Sequence, residues 1–365
     1  MGLYVHFPWC VRKCPYCDFN SHEIGRALPR DEYLQCLRKD LGKELSRTTA
    51  AVKTVYCGGG TPSLFDPAAF TSILAHERLS DVAEITMEMN PGAAEYQALT
   101  DYRAAGITRL SIGVQSLHDE SLHQLGRIHS SQEAREAIYA AQQAGFESIN
   151  LDLMFGLPDQ TIDMAMQDLD ALIALEPEHI SWYQLTIEPN TVFAKRPPSL
   201  ASDDERADMS DAGLERLAAA GYRQYEVSAF ARDDGQFECR HNLNYWQFGD
   251  YIGIGAGAHG KISQCSRTII RTQKTRVPKD YASNIEAIEV LIPQEELPVE
   301  FLMNALRLNR GTESARFTQT TGFSLDVLQP TLAELRHQSF IDSERLALTE
   351  LGRDHLNSIV AKFLT

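Results

Sequence analysis

The sequence predicts an α/β protein: a partial, TIM-like barrel of six βα units, (β/α)6, followed by a small C-terminal winged-helix-like domain. Short runs rich in β-branched and aromatic residues alternate with longer segments of helical periodicity. Several of these helical segments stop at a glycine. The alternation gives six units, fewer than the eight of a closed barrel. An open barrel therefore fits best, and a doubly wound sheet is the other architecture that this alternation allows.

Each unit of the predicted barrel can be assigned in chain order. The strands are Leu3–Phe7, Thr54–Cys57, Glu84–Met89, Arg109–Val114, Ser148–Phe155 and His179–Thr186. The helices are Asp31–Leu45, Tyr96–Ala105, Gln132–Ala144, Ile162–Leu175 and Asp203–Ala220. Gly106, Gly145 and Gly221 follow three of these helices. They mark helix ends, because glycine readily adopts the left-handed backbone that ends a helix. In either architecture, functional residues are expected at the carboxyl ends of the strands.

The regular alternation ends near residue 221, and this change predicts three domains. They are a barrel at 1–221, an appended region covering the barrel mouth at 222–297, and a winged-helix-like domain at 298–365. The appended region has a strand at Tyr225–Phe230, an aromatic segment at His241–Phe248 and a glycine-rich run at Gly253–Gly260. The terminal domain has helices at Val299–Asn309 and Leu325–His337, a hairpin between residues 340 and 349, and a closing helix.

Composition and charge exclude several classes of protein. Hydrophobic residues make up 43% of the 365 residues, which is enough for a substantial core and excludes a disordered chain. The formal net charge of −16 repels phosphate backbones, so we expect no nucleic acid partner, even for the winged-helix-like domain. No stretch approaches the roughly 18 apolar residues of a membrane-spanning helix, and no secretion signal or lipid anchor is visible. We expect a cytoplasmic protein without direct membrane insertion.

Three of the seven cysteines lie within eight residues, directly after the first predicted strand. Cys10, Cys14 and Cys17 form a CxxxCxxC pattern. Zinc fits poorly, because a structural zinc site normally has four ligands and the other cysteines are scattered singly. Three unligated buried thiols are disfavoured, because Arg12 and Lys13 make the loop polar. Three thiolates around a 4Fe-4S cluster would leave one iron free to bind a small molecule.

A glycine-rich turn, Gly58-Gly59-Gly60-Thr61-Pro62, follows the second predicted strand. Together with the CxxxCxxC loop, it resembles the radical S-adenosylmethionine (radical SAM) superfamily. This resemblance implies that Cys10, Cys14 and Cys17 hold a 4Fe-4S cluster. It also implies that the open iron binds the amino and carboxylate groups of SAM and passes an electron to its sulfonium. A turn without side chains would let the backbone approach the methionine end of SAM closely.

More narrowly, the chain is similar to the branch of this superfamily that contains oxygen-independent coproporphyrinogen III oxidase. The resemblance covers essentially the whole chain, and the motifs that carry it include Met-Glu-Met-Asn-Pro and Asn-Leu-Asp-Leu-Met-Phe-Gly-Leu-Pro. For Glu88 and Asp152 taken alone, the other interpretation is an ordinary salt bridge at the barrel mouth. The SAM-binding positions that the resemblance implies are Tyr4, Tyr16, Gly59, Gly60, Thr61, Glu88, Gln115, Arg127 and Asp152.

Two features separate the members of this branch. True oxidases carry a fourth cysteine, as CxxxCxxCxC, and Phe19 stands at that place here. His241-Asn242-Leu243-Asn244-Tyr245-Trp246 matches the HNxxYW motif of the HemW family, radical-SAM-like heme chaperones that deliver heme to respiratory acceptor proteins. The resemblance therefore implies heme as a further cofactor or cargo, and an acceptor protein, such as a membrane respiratory protein, as the partner.

The heme site that the motif implies contains His241, with Tyr245 and Trp246 offering flat surface to the macrocycle. Cys239 is another candidate for the axial ligand, and His6 and His259 are weaker ones. No catalytic residue is assigned, and oxidase activity is not expected. Three alternatives stay open: coproporphyrinogen III oxidation, a radical SAM reaction on another substrate, and a DNA-binding iron or redox sensor, which the acidic charge disfavours.

Overall fold

The computed structural model describes residues 1–25, 27–92, 98–233, 235–265 and 267–364. Its strands are β1 Gly2–Phe7, β2 Trp9–Cys10, β3 His22–Glu23, β4 Thr54–Gly59, β5 Glu84–Met89, β6 Arg109–Gln115, β7 Ser148–Phe155, β8 His179–Gln184, β9 Arg223–Glu226, β10 Ala229–Ala231, β11 Tyr251–Ile254, β12 His259–Cys265, β13 Thr268–Lys274 and β14 Ala287–Leu291.

The helices in these residues range from four to seventeen residues in length. They are α1 Arg30–Ser46, α2 Pro67–Leu74, α3 Leu99–Ala104, α4 Asp119–Gln124, α5 Ser131–Gln143, α6 Ile162–Ile173, α7 Val192–Lys195, α8 Asp203–Ala219, α9 Arg240–Trp246, α10 Pro278–Ser283, α11 Leu297–Ala305, α12 Ser314–Thr321, α13 Thr331–His337, α14 Glu350–Arg353 and α15 Leu356–Ala361. None of them is long and apolar enough to cross a membrane.

One twelve-stranded sheet forms the main body, in the order β14-β13-β12-β11-β1-β4-β5-β6-β7-β8-β10-β9. The six strands predicted for the barrel are its consecutive, mutually parallel centre, β1-β4-β5-β6-β7-β8. Residues from the appended region extend this sheet at both ends, with β11 parallel to β1 and β10 antiparallel to β8. The predicted α/β open barrel with a small C-terminal domain is confirmed, whereas the domain boundaries stay a prediction.

Local chemistry explains where the barrel helices begin and end. Capping boxes open α5, between Ser130 and Glu133, and α8, between Ser202 and Glu205. The glycines predicted to end helices, Gly106, Gly145 and Gly221, all have positive φ. The helix predicted at Tyr96–Ala105 is observed from Leu99 onward, and its predicted start lies outside the described residues.

Three predicted elements were wrong in detail. Tyr225–Phe230 is two short antiparallel strands, β9 and β10, joined by a tight turn. Leu325–His337 is a short 3-10 helix, Leu325–Leu328, followed by α13, because Pro330 lacks the N–H group that a continuous helix needs. The first helix of the terminal domain is α11, which ends at Ala305 and not at Asn309.

Two large hydrophobic clusters, among the residues that the structure describes, form the main cores of the molecule. The larger lies between the central strands and the barrel helices. The smaller belongs to the C-terminal domain, but Phe248 and Ile269 also pack in it. Since these two residues come from the segment that extends the sheet, the terminal domain is packed against that extension.

A buried ion cluster joins the first barrel helix to the sheet extension. The Nζ of Lys274 on β13 lies 2.6 Å from Asp40 Oδ1 and 2.7 Å from Glu44 Oε1, both on α1. The hydroxyl of Tyr281 on α10 donates to Asp40 Oδ2 at 2.7 Å. The three charged side chains are at most 1% exposed, so each charge depends on its partners for stabilisation.

Candidate functional site

The three cysteines of the CxxxCxxC pattern lie on one half-buried loop at the carboxyl end of β1. Cys10 ends β2, and the backbone N–H of Cys17 donates to the carbonyl of Cys14 at 3.2 Å. Burial raises the pKa of the Cys10 and Cys17 thiols, and their closeness to each other and to Cys14 adds to the effect on Cys10. The fold therefore brings the three thiols together.

The chemistry of these donors suits an iron–sulfur cluster, because cysteine thiolates are the usual ligands of its irons. No group of three His, Cys, Asp or Glu side chains, among the residues described, is arranged to hold one ion. Zinc needs all its donors within about 2.0–2.3 Å of one centre. In a 4Fe-4S cluster each cysteine binds a different iron, so the sulfur atoms stand further apart.

The glycine-rich turn packs tightly against the chain that leads into the cysteine loop. The backbone N–H groups of Gly60 and Thr61 both donate at 2.7 Å, to the carbonyls of Phe7 and Trp9. A Cβ atom on Gly60 would lie 2.4 Å from the Trp9 carbonyl oxygen. Glycine is therefore required at position 60, because only a residue without a side chain allows this approach.

Gly60→Ala is expected to destabilise the protein by about 1–3 kcal/mol, because the backbone of Trp9, next to Cys10, must move. Gly42→Ala is the matched control, since a Cβ at Gly42 in α1 meets no atom within 4 Å. We expect that change to be neutral or stabilising. Denaturant unfolding of both variants checks this, and equal stability would show that the turn can relax.

Glu88, near the end of β5, is held against this turn. Its carboxylate accepts from the Tyr56 hydroxyl at 2.9 Å and from the Gly59 backbone N–H at 3.0 Å. Burial raises the pKa of Glu88 to about 7, although the hydrogen bond from Tyr56 lowers it. A carboxyl with this pKa can accept a hydrogen bond from a ligand hydroxyl or donate one to it near neutral pH.

Arg127 connects the cysteine loop to the strand ends. Its guanidinium lies 3.7 Å from Cys14 Sγ and donates to Asn90 Oδ1 at 2.6 Å and to the Gly113 carbonyl at 2.7 Å. A cation at this position stabilises a thiolate and can bind a ligand carboxylate.

Gln115 and Asp152 complete the polar lining of the barrel lumen. Gln115 has a φ of 69°, at an irregularity in the pairing of β6 with β7, and its Oε1 accepts from the Tyr183 hydroxyl at 2.7 Å. Burial raises the pKa of Asp152, and the hydrogen bond from Asn150, at 2.8 Å, counteracts this. Both side chains are therefore fixed before any ligand binds.

A cavity of about 500 Å³ lies over these groups, and we call it the cluster cavity. It is lined by the three cysteines and by seven of the nine predicted SAM-binding residues, all except Tyr4 and Thr61. Its volume is within the range of about 300–1,000 Å³ that small-molecule sites occupy. Three thiols, a nearby cation and an adjoining polar cavity of this size suit a cluster with a polar ligand.

A second cavity, of about 630 Å³, adjoins the first, and we call it the aromatic cavity. Tyr4 lies here, as do Tyr245 and Trp246 of the HNxxYW motif. The two cavities share Phe19, Gly59 and Glu88 as lining residues. Phe19, which stands where a fourth cysteine would distinguish an oxidase, lines both cavities and is 59% exposed.

His241 lines neither cavity. It is 1% exposed, and its ring nitrogens contact Thr54 Oγ1 and the Tyr245 hydroxyl, each at 2.9 Å. The carboxylate of Glu84, the first residue of β5, accepts from the backbone N–H groups of Arg240 and His241. Helix α9 therefore closes the amino-terminal end of the barrel, and the His241 ring holds the Tyr245 hydroxyl by a hydrogen bond.

Sequence reasoning missed several polar residues of the site. Asn90 and Tyr183 hydrogen-bond to Arg127 and Gln115, two of the predicted SAM-binding residues. Alternate residues of β7 and β8 also point polar groups into the lumen. The sequence signal that could have identified them is the polar residue at every second position of these strands. The three cations of the aromatic cavity, Lys261, Arg271 and Arg276, were also missed.

Comparison with known proteins agrees with the radical SAM and HemW resemblance of the sequence motifs. The Radical SAM superfamily model matches residues 4–172, and the HemN C-terminal domain model matches residues 292–355. The heme chaperone HemW of Escherichia coli (strain K12) is 46% identical over 373 residues, covering 100% of this chain and 98% of that protein. HemW of Bacillus subtilis (strain 168) is 33% identical, covering 100% and 99%.

The fold also matches a solved structure. Coproporphyrinogen III oxidase (HemN) from Escherichia coli, a radical SAM enzyme, superposes with a TM-score of 0.82 over 99% of this chain and 89% of that chain. The two are 23% identical, so this match shows the shared fold and no more. Since full-length relatives are 46% and 33% identical, the chain belongs to the HemW family of radical SAM proteins.

Proposed function

We propose that this protein is a heme chaperone: it holds a 4Fe-4S cluster and SAM, binds heme and delivers it to an acceptor protein of the respiratory chain. The observation that carries the proposal is the pair of adjoining cavities. One is lined by three thiols and polar residues, and the other by aromatic and basic residues. The name of the full-length relatives, heme chaperone, supports the same function.

Cys10, Cys14 and Cys17 would hold the cluster. When bound, a 4Fe-4S cluster supplies an open iron for a ligand and an electron for transfer. Glu88 and Asp152 would bind hydroxyl or amino groups of SAM, and Arg127 would bind its carboxylate. Gly59, Gly60 and Thr61 would present the backbone to its methionine end, and Tyr4, Tyr16 and Gln115 would complete the site.

Anaerobic titration of the reconstituted protein with heme tests the proposal. We expect saturable binding with a defined stoichiometry and a Soret spectrum distinct from that of free heme. The heme-loaded protein should then restore activity to membrane vesicles that contain a heme-free respiratory enzyme. Reconstituted protein without heme is the control. A protein that binds no heme, or that never transfers it, would contradict the proposal.

The second candidate function is oxidation of coproporphyrinogen III, which the match of residues 292–355 to the HemN C-terminal domain raises. Phe19, where oxidases carry a fourth cysteine, counts against it. We expect no protoporphyrinogen IX after anaerobic incubation with SAM, a reductant and coproporphyrinogen III. The Escherichia coli oxidase is the positive control, and product from this protein would establish the oxidase instead.

A further inference from the structure

The aromatic cavity has a lining that suits a flat, largely apolar macrocycle. Aromatic side chains line it from several directions, including the cysteine loop and the segment from α9 to β11. Aromatic rings offer large apolar area with fixed geometry, which suits stacking on a planar ligand. The rings are those of Tyr4, Phe19, Tyr245, Trp246, Phe248 and Tyr251.

Strands β12 and β13 bring cations to the same cavity. Lys261 faces Arg271 across the pair, and His259 faces Gln273, so all four side chains lie on one face of the sheet. Lys261 is paired with Asp250, at 3.1 Å, and Arg271 with Glu300. The side chain of Arg276 has only a 3.5 Å contact to Asn20, among the residues described.

This arrangement leaves Arg276 available for an anionic ligand. In a chain of net charge −16, three cations around one cavity are a local exception. Heme carries two carboxylates at one edge of an otherwise apolar ring. Arg276, which is exposed, and Arg271, which is 48% exposed, are placed to bind them.

Most groups in the cavity that can bind iron are already engaged. The ring nitrogens of His6 contact the Tyr4 hydroxyl at 3.0 Å and the Asn20 carbonyl at 2.9 Å. The Tyr245 hydroxyl contacts His241, and the Lys261 ammonium contacts Asp250. These groups would have to lose a hydrogen bond before binding iron.

His259 differs from these groups in its hydrogen bonding. No hydrogen bond to its ring is present within the described part of the chain, and the residue is exposed. Desolvation and the nearby charges of Arg271 and Arg276 lower the pKa of its imidazole, which favours the neutral ring. A neutral imidazole is the form that binds heme iron. The Tyr251 phenol also lines the cavity, but burial raises its pKa, which disfavours the phenolate that iron would need.

We infer that heme occupies the aromatic cavity, with its iron bound by His259 and its carboxylates held by Arg271 and Arg276. The inference rests on the proposed heme-binding function and adds the site to it. It replaces the expectation that His241 is the axial ligand, because His241 is enclosed beneath Tyr245 and outside both cavities.

Heme titration of His259→Ala tests the inference in the cluster-loaded, full-length protein. We expect heme affinity to fall by at least roughly 10- to 100-fold. Metal sites lose about this much affinity when a residue that only supports a metal ligand is removed, and His259 would be the ligand itself. The electron paramagnetic resonance spectrum of ferric heme should also change. Added imidazole should restore the original spectrum. His337→Ala, an exposed histidine of α13, is the matched control and should bind heme as the unmodified protein does.

A second variant tests the carboxylate contacts independently. Arg276→Gln should weaken binding of heme but leave binding of heme dimethyl ester unchanged, because the ester carries no charge at that edge. If His259→Ala keeps the original affinity and spectrum, or Arg276→Gln affects heme and its ester equally, the inference is wrong while the proposed function stands. If the unmodified protein binds no heme, the proposed function itself fails.

Discussion

Replacing Cys14 with serine is expected to abolish cluster assembly, because the hydroxyl of serine is a harder and far less acidic donor than a thiol. Cys14 is also the thiol beside the Arg127 guanidinium, at 3.7 Å. The remaining cysteines, Cys10 and Cys17, would then hold only two irons. Iron, sulfide and visible absorption after anaerobic reconstitution measure the loss.

Cys36→Ser is the matched control for this prediction. Cys36 is a buried cysteine on α1, and its thiol lies 3.8 Å from the Ala282 carbonyl, a contact that a serine hydroxyl can also make. We expect that variant to assemble a full cluster. A Cys14→Ser protein with the iron and sulfide content of the Cys36→Ser protein would refute the proposed ligand set.

Lys274→Met is expected to have the largest effect on stability. The change keeps the volume of the side chain but removes the ammonium that pairs with Asp40 and Glu44. Asp40 is then left buried without a cation, whereas Glu44 keeps its ion pair with Arg47 at 3.2 Å. Breaking a buried pair in this way costs about 3–5 kcal/mol. The free energy of unfolding at pH 7, from denaturant titration, measures the loss.

The pH dependence of the Lys274→Met deficit identifies its cause. Burial already raises the pKa of Asp40, and Lys274 acts in the opposite direction, so removing Lys274 should raise that pKa further. A carboxyl with a raised pKa in the folded state stabilises the fold at low pH, and this contribution is lost as pH rises through the folded-state pKa. The deficit should therefore shrink as pH falls from 7 towards about 5.

Lys43→Met provides the matched control, on the helix α1 that also carries Asp40 and Glu44. Lys43 pairs with Glu286, which is 63% exposed, so solvent screens the interaction and little change in stability is expected. An equal loss in both variants would show that burial of the Lys274 cluster has no special role.

The order of the barrel could be predicted from the sequence because its signals are local. Alternating composition locates the six central strands, and glycines such as Gly145 mark where helices end. The cysteine loop and the glycine-rich turn are also contiguous motifs, each directly after a strand. Their meeting in space follows from parallel strands, whose carboxyl ends lie at one edge of the sheet.

The aromatic cavity could not be predicted in this way, because its residues meet only through long-range pairing. Lys261 and Arg271 reach the lumen face because β11 pairs with β1 and β12 with β11, and no local pattern specifies that register. The position of His241 depends similarly on Glu84, 157 residues away in sequence, which fixes the start of α9. Of the three motif residues expected at the heme site, Tyr245 and Trp246 line the aromatic cavity, whereas His241 lies outside it.

The lining shared by the two cavities has a thermodynamic consequence. Because Phe19, Gly59 and Glu88 contact both spaces, a molecule in either one would change the surroundings of the other. The affinities for SAM and heme would then be linked. Whatever factor SAM binding applies to heme affinity, heme binding must apply to SAM affinity, because the coupling free energy is reciprocal. Loss of one ligand would thereby favour loading or release of the other without any movement of the barrel.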